Sequence, residues 1–255
     1  MENLAKRQMG GLFVQVLDSA PAVAMAQAAG FDFLFFDGEH GDIDWPRLSS
    51  AMLYAHALGL PSLVRVGELS RSLVSHTLDL GAAGVMVPMV ESANQARQLV
   101  QWAKYPPLGC RSYSGGAHTG YGKSGSHAAN MARANAQTLA IAQVETVEGV
   151  CQAQAIAAVG GVDALVVGPC DLAISMGRSD EVGCAEELAL IEQVHRACVD
   201  CGKAFGIIGS AGLVEHFMPD VNLMVSAIDA HLLRSAFTGA VQDYERLKSA
   251  AAKAQ

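Results

Sequence analysis

Two carboxylates, Glu145 and Asp171, each follow a short apolar run, and one strand–helix unit separates them. Glu145 closes Leu139-Ala-Ile-Ala-Gln-Val-Glu145, and Asp171 follows Ala164-Leu-Val-Val-Gly-Pro-Cys-Asp171. Neighbouring parallel strands lie roughly 5 Å apart, so acids at the ends of two such strands can share one divalent cation. Hard carboxylate oxygens without a His or Cys cluster favour Mg²⁺ or Mn²⁺ over structural zinc, with Co²⁺ a further candidate. Two protein ligands leave most of the coordination sphere to water and substrate. The competing reading of either acid alone is an N-cap for the next helix.

Three more chemistry-bearing groups fall at strand ends. Phe35-Phe36-Asp37-Gly38-Glu39-His40 places an acid three residues before an imidazole, and Leu63-Val64-Arg65-Val66 sets a guanidinium among apolar neighbours. A carboxylate beside an imidazole fixes its tautomer and raises its basicity, which makes His40 a candidate general base with Asp37 behind it. An arginine inside a strand is costly to bury unless paired. It either neutralises Asp37 or Glu145, or serves as an anion clamp that stabilises developing negative charge. The six lysines are Lys6, Lys104, Lys123, Lys203, Lys248 and Lys253, and none stands at the active end of a strand. A Schiff-base mechanism needs one there, so carbonyl activation falls to a metal. No Gly-x-Gly-x-x-Gly follows a strand and no P-loop is present. Cys198-Val-Asp-Cys201 has redox-motif spacing but lies near a helix end with no second cysteine pair.

Positioning these groups requires an alternating chain. Runs without polar alternation occur at Leu12–Leu17, Phe33–Asp37, Ser62–Val66, Gly84–Val90, Leu139–Glu145, Ala164–Gly168, Ala204–Ile208 and Leu223–Ala227, with Ala- and Leu-rich helical stretches between most of them. Continuous apolar strands belong to a parallel sheet covered on both sides. Eight of them, in a chain of 255 residues, predict a single α/β domain over residues 1–255, a (β/α)8 TIM barrel, with an open doubly wound sheet as the alternative. Gly30, Gly59, Gly81 and Gly202 fall where helix C-caps belong.

One connection breaks the rhythm. About thirty residues separate the helix near Ser92–Ala103 from the fifth strand, punctuated by Pro106, Pro107 and six glycines from Gly109 to Gly125. Leu108–Ser114, extended, spans about 23 Å, enough to climb to the active face, and a helix near Ser126–Ala136 returns the chain. The segment at about 105–137 therefore reads as a lid, or else as a surface loop at the barrel floor. The C-terminal stretch Leu232–Ala252 reads as a helix that closes the barrel or packs on a neighbouring subunit.

Composition excludes several classes. Charged residues make up 16% of the chain and the formal net charge is −8, which disfavours nucleic-acid and anionic-membrane partners. There is no signal-type apolar run at the start, no stretch of about 20 apolar residues, and six scattered cysteines; together these read as a reduced, cytoplasmic protein.

At these residues the chain resembles the HpcH/HpaI aldolase family of metal-dependent class II pyruvate aldolases. The matching segments run in family order: Phe33-Leu-Phe-Phe-Asp-Gly-Glu-His40, Leu63-Val-Arg65, Leu78-Asp-Leu-Gly-Ala-Ala-Gly-Val-Met-Val-Pro-Met-Val90, Tyr105-Pro-Pro-Leu-Gly-Cys-Arg111, Gln143-Val-Glu145 and Val167-Gly-Pro-Cys-Asp-Leu172. The resemblance implies reversible cleavage of a 4-hydroxy-2-oxo acid to pyruvate and an aldehyde. It implies Glu145 and Asp171 as metal ligands and Arg65 as stabiliser of the pyruvate enolate. His40 would be the base, oriented by Asp37 and aided by Asp79 from a neighbouring subunit. Gln143 and the backbone of Gly168, Pro169, Cys170 and Asp171 would hold the substrate. It also implies a homo-oligomer, trimer or hexamer, with an exchanged C-terminal helix. Two departures stand out: Cys170 replaces the family's usual alanine, and Ser112-Tyr-Ser-Gly-Gly-Ala-His-Thr-Gly-Tyr121 lacks the arginine of relatives that take acidic aldehydes. The same enolate would also serve oxaloacetate decarboxylation or a CoA-thioester lyase, the latter wanting basic residues such as Lys123 and Arg133 at the entrance. A barrel that binds metabolites without catalysis is the non-enzymatic alternative.

Overall fold

A computed structural model describes residues 4–121 and 125–253. The chain runs β1 (Met9–Val14), α1 (Ala20–Ala29), β2 (Phe33–Asp37), α2 (Trp45–Ala57), β3 (Ser62–Arg65), α3 (Arg71–Asp79), β4 (Gly84–Val87) and α4 (Ala93–Ala103). After a long connection come α5 (His127–Gln137), β5 (Leu139–Val144), α6 (Val147–Cys151), α7 (Ala153–Ala157), β6 (Ala164–Val167), α8 (Pro169–Ser175), α9 (Ala185–Cys201), β7 (Ala204–Ile208), α10 (Ala211–His216), β8 (Leu223–Ile228) and α11 (Asp229–Lys253). The eight strands pair in parallel and in sequence, and β8 closes on β1. This is the (β/α)8 barrel expected; the open sheet is excluded by that closure.

Both faces of every strand but β8 are almost wholly apolar because both are buried. Alternate residues fill the barrel interior, among them Phe13, Phe35, Leu63, Met86, Ile141 and Val166. Their neighbours, including Val14, Phe36, Val64, Val87, Ala142 and Val167, pack outward under the helices. The side-chain period of two then dictates what stands at the top of the barrel. Continuing the inward parity past Phe13, Phe35, Leu63 and Ile141 brings Gln15, Asp37, Arg65 and Gln143 into one layer. Gly11 makes room for the interior ring of Phe33, which a Cβ at position 11 would strike. Gly30, Gly59, Gly81 and Gly202 all hold positive φ at helix ends, as expected.

The long connection is not structureless. A 3₁₀ turn at Ala117–Thr119 and α5 occupy part of it. Asn135 of α5 pins its start, accepting from the Tyr105 N–H at 2.7 Å and donating to the Tyr105 carbonyl at 2.9 Å. Arg111 pairs with Asp79 at the C-terminal end of α3 at 2.6 Å, and Ala117 lies against Gly81. These partners mark the floor of the barrel. The expectation of a lid over this barrel's own active face is therefore corrected: the Asp79 carboxylate and the close approach to Gly81 hold Arg111–Gly120 at the opposite end. Gly122 and Lys123 lie outside the described residues.

Candidate active site

Arg65 organises the β2–β3 side of the rim. Strand register sets Asp37 directly beside Arg65. Arg65 Nε donates to Asp37 Oδ1 at 2.9 Å and Nη2 to Oδ2 at 2.8 Å, a two-pronged fork, while Nη1 lies 3.1 Å from Glu39 Oε2. Asp37 also accepts the backbone N–H groups of Glu39 and His40 on Oδ1, at 3.1 and 3.2 Å, and the Gln15 amide on Oδ2 at 3.0 Å. Burial alone pushes this carboxyl up, but the Arg65 fork, Gln15 and the His40 N–H outweigh it and hold Asp37 below the usual carboxylate range.

His40 stands at the open mouth with an exposed side chain. Its Nε2 is 3.9 Å from Glu39 Oε2. The sequence predicts that Asp37 orients the His40 ring; the carboxylate instead reaches the His40 backbone, because the guanidinium occupies both of its oxygens. The acid beside the imidazole is Glu39, which sequence reasoning missed. It lies in the turn that follows β2, past the apolar run. Burial raises the Glu39 pKa, and Arg65 opposes that rise.

The β5–β6 side carries the other acids. Glu145 is buried (2% exposed). Its Oε1 accepts the Met89 N–H at 2.8 Å, and its Oε2 accepts the Gln143 amide. Burial raises the Glu145 pKa to about 7; the Met89 N–H opposes the shift, and the charge of Asp171 adds to it. Asp171 sits exposed in the first turn of α8, and Glu39 also feels its charge. Neither acid is a cap. Thr146 caps α6 by accepting the Gly149 N–H at 3.0 Å, and Gly168 is the N-cap residue of α8. Gly168 leaves space beside the pair: a Cβ there would strike Glu145 Oε2 and lie 2.8 Å from Gln143 Nε2. Pro169 and Cys170 begin α8, with the thiol at the surface and its pKa raised by burial and by Asp171.

Four carboxylates thus face one guanidinium. The sequence suggests Arg65 as the local cation for an anionic substrate, yet Asp37 and Glu39 already take all three of its nitrogens. Among the described residues no three His, Cys, Asp or Glu side chains cluster around one point. The donor set fits a divalent cation: a buried carboxylate, Glu145, that forms no ion pair among the described residues, a second carboxylate, Asp171, whose charge it feels, and the Gln143 Oε1 buried without a partner.

Asp79 lies apart. In this chain it ends α3 at the barrel floor, paired with Arg111 and 3.9 Å from His118 Nδ1. Burial and then Arg111 hold His118 below the usual imidazole range. The residue sequence reasoning missed altogether is Gln15, which touches Asp37 from the end of β1; it too has inward parity.

Comparison with known proteins agrees with this architecture. The chain is 34% identical over 226 residues to the hydroxypyruvate/pyruvate aldolase of Chromohalobacter salexigens, covering 88% of this chain and 89% of that protein. It is 37% identical over 191 residues to a 4-hydroxy-2-oxovalerate aldolase of Novosphingobium aromaticivorans, covering 74% and 72%. The crystal structure of an HpcH/HpaI aldolase from Desulfitobacterium hafniense superposes with a TM-score of 0.89 at 28% identity, covering 94% and 93% of the two chains. Residues 10–236 match the profile of the HpcH/HpaI aldolase/citrate lyase family, and with that match over most of its length the chain belongs to this family.

Proposed function

We propose that this protein is a divalent-metal-dependent aldolase that reversibly cleaves a 4-hydroxy-2-oxo acid to pyruvate and an aldehyde. The observation that carries the reading is the rim itself, where Glu145 and Asp171, neither in an ion pair among the described residues, face the Arg65–Asp37 fork. The relatives' activities, on pyruvate, hydroxypyruvate and 4-hydroxy-2-oxovalerate chemistry, point the same way.

Glu145 and Asp171 would hold the cation, Mg²⁺ or Mn²⁺, which when bound supplies Lewis acidity at the 2-oxo group. Gln143 and the backbone of Gly168 to Asp171 would seat the 2-oxo acid. His40 takes the proton of the 4-hydroxyl, directly or through water. The C3–C4 bond breaks, its electron pair passes to C3 and the 2-oxo oxygen as the pyruvate enolate, and the aldehyde leaves. Arg65 Nη1, which pairs with Glu39 through one of its two N–H bonds, would donate the other to the developing oxyanion. Return of a proton to C3 gives the pyruvate methyl group. Asp79 would act on His40 only from a second chain, because its own barrel separates them.

A homo-oligomer, trimer or hexamer, accords with α11. Beyond Asp229 none of its described residues is buried, and Leu232, Phe237, Val241, Tyr244 and Leu247 are all exposed. Among the described residues no helix is long and apolar enough to cross a membrane, and the free cysteines suit a cytoplasmic protein. A CoA-thioester lyase would call on Arg133, which hydrogen-bonds Asn130 on α5, and on Lys123, which lies outside the described residues.

The test is metal-stripped protein with pyruvate in deuterium oxide. Loss of the methyl proton signal on adding Mg²⁺ or Mn²⁺ is expected. No exchange with any divalent ion would sink the proposal.

A further inference from the structure

The Arg65–Asp37 fork does not stand alone. Asp229, the first residue after β8, is 1% exposed. Its Oδ1 accepts the Gln15 N–H at 2.9 Å, and its Oδ2 accepts those of Val16 and Leu17 at 3.1 and 2.8 Å. The same Oδ1 takes the Ala230 N–H at 2.7 Å. One buried carboxylate therefore gathers the whole loop that follows β1. Gln15, held by this loop, points its amide at Asp37 Oδ2 at 3.0 Å, and its carbonyl accepts the Asp42 N–H at 2.9 Å. Asp37 in turn carries Arg65. The link thus passes across four adjacent strands at one level, from β8 to β1, β2 and β3.

We infer that Gln15, anchored by Asp229, is a positioning residue that fixes the orientation of the Arg65 guanidinium and of the Gly38–Asp42 turn bearing His40. The function assigned to Arg65 rests on the aldolase reading above; the positioning itself does not. Oδ1 of Asp37 is held by the Glu39 and His40 N–H groups as well as by Arg65 Nε, whereas Oδ2 has only Arg65 Nη2 and the Gln15 amide. The Gln15 amide therefore supplies the one fixed donor on Oδ2 besides the guanidinium, and its loss would leave the Nη2 side of the fork free to shift. A glutamine is suited to this task because it adds a donor without adding charge to a rim that already holds Asp37, Glu39 and Arg65, with His40 beside them.

Two variants of the full chain test this. In ¹⁵N-arginine-labelled protein, with the Arg65 signal identified by its loss in Arg65→Lys, Gln15→Leu should speed solvent exchange of the Arg65 Nε–H about tenfold. Exchange unchanged from the parent protein would overturn the inference, whatever the enzyme activity. Gln15→Glu is nearly isosteric and serves if Gln15→Leu does not fold. Its carboxyl faces Asp37, so the pair shares a proton, and only the protonated form restores a donor. Slow Nε–H exchange and the turnover rate for substrate cleavage, relative to the parent at each pH, should both recover as pH falls toward about 5, with KM changed less than about twofold. A variant whose relative turnover is flat with pH would count against positioning, since a role in folding alone has no such profile. Failure of the parent protein to exchange the pyruvate methyl group would defeat the aldolase reading and leave the Nε–H result standing.

Discussion

Met89 donates its backbone N–H to Glu145 Oε1 at 2.8 Å while holding a φ of 54°. A non-glycine residue in the left-handed region costs about 1–2 kcal/mol, and here it aims the N–H at a buried carboxylate. Met89→Ile, β-branched at the same φ, should lose about 1–2 kcal/mol of stability, whereas Met89→Gly should stay within about 1 kcal/mol of the parent. Denaturant unfolding measures both, and equal stabilities for the two variants would remove the claim of backbone strain.

The cation should bind in competition with a proton. Glu145 in the metal-free protein has its pKa raised to about 7, so the folded state keeps a proton there that an exposed glutamate would have released. A ligand must be deprotonated to hold a metal. Mn²⁺ affinity should therefore rise with pH between about 5.5 and 7, by at most about tenfold per pH unit, and level off above. Calorimetry in buffers of different ionisation enthalpy should show proton release below about pH 7 that fades above it. An affinity independent of pH would mean that Glu145 is not a ligand.

Arg65→Lys keeps the charge and loses the fork. Lysine cannot span both Asp37 oxygens and still present a nitrogen to the rim. The expected result is a fall in kcat of about 100-fold or more with the fold retained, read by steady-state release of pyruvate and by circular dichroism. A loss smaller than about threefold would show that the guanidinium serves Asp37 alone.

The six cysteines should separate sharply toward an alkylating reagent. Cys198 is buried, and burial pushes its thiol up to about 12; it should remain unmodified in the folded protein. Cys110, Cys151 and Cys170 are exposed. Of these, Cys170 adjoins Asp171, so pyruvate with Mg²⁺ should slow its labelling while leaving Cys110 and Cys151 unaffected. Peptide mass spectrometry reads all of them at once, and equal labelling of Cys170 with and without ligands would place the substrate elsewhere.

Much of this was legible in the residues. The bounds of β2 and β7 match their apolar runs, because a strand buried on both faces announces itself by unbroken hydrophobicity. The runs near β1, β4 and β5 extend past the observed ends, since apolarity continues into the rim loops after hydrogen bonding stops, and β1 begins at Met9, three residues before its run. Asp37, Arg65, Gln143 and Glu145 stand out because polar groups interrupt those runs. Gln15 interrupts the run Leu12–Leu17 in the same way but escapes because a lone neutral amide carries no acid–base chemistry, and Glu39 escapes because it lies past its run, in the turn after Asp37. The floor position of Arg111–Gly120 was one of two readings that the sequence left open. It depends on the Arg111–Asp79 pair, whose members come from separate elements.

The anchoring of the first loop by Asp229 has a consequence for how the protein comes into being. Gln15 and Asp229 lie 214 residues apart. A chain emerging from the ribosome makes the β1 loop long before its anchor. No shortened N-terminal fragment, however well its early strands pair, can hold Gln15 as the finished barrel does. The onset of full activity during refolding should therefore coincide with the docking of β8 on β1, which makes catalysis itself a reporter of barrel closure.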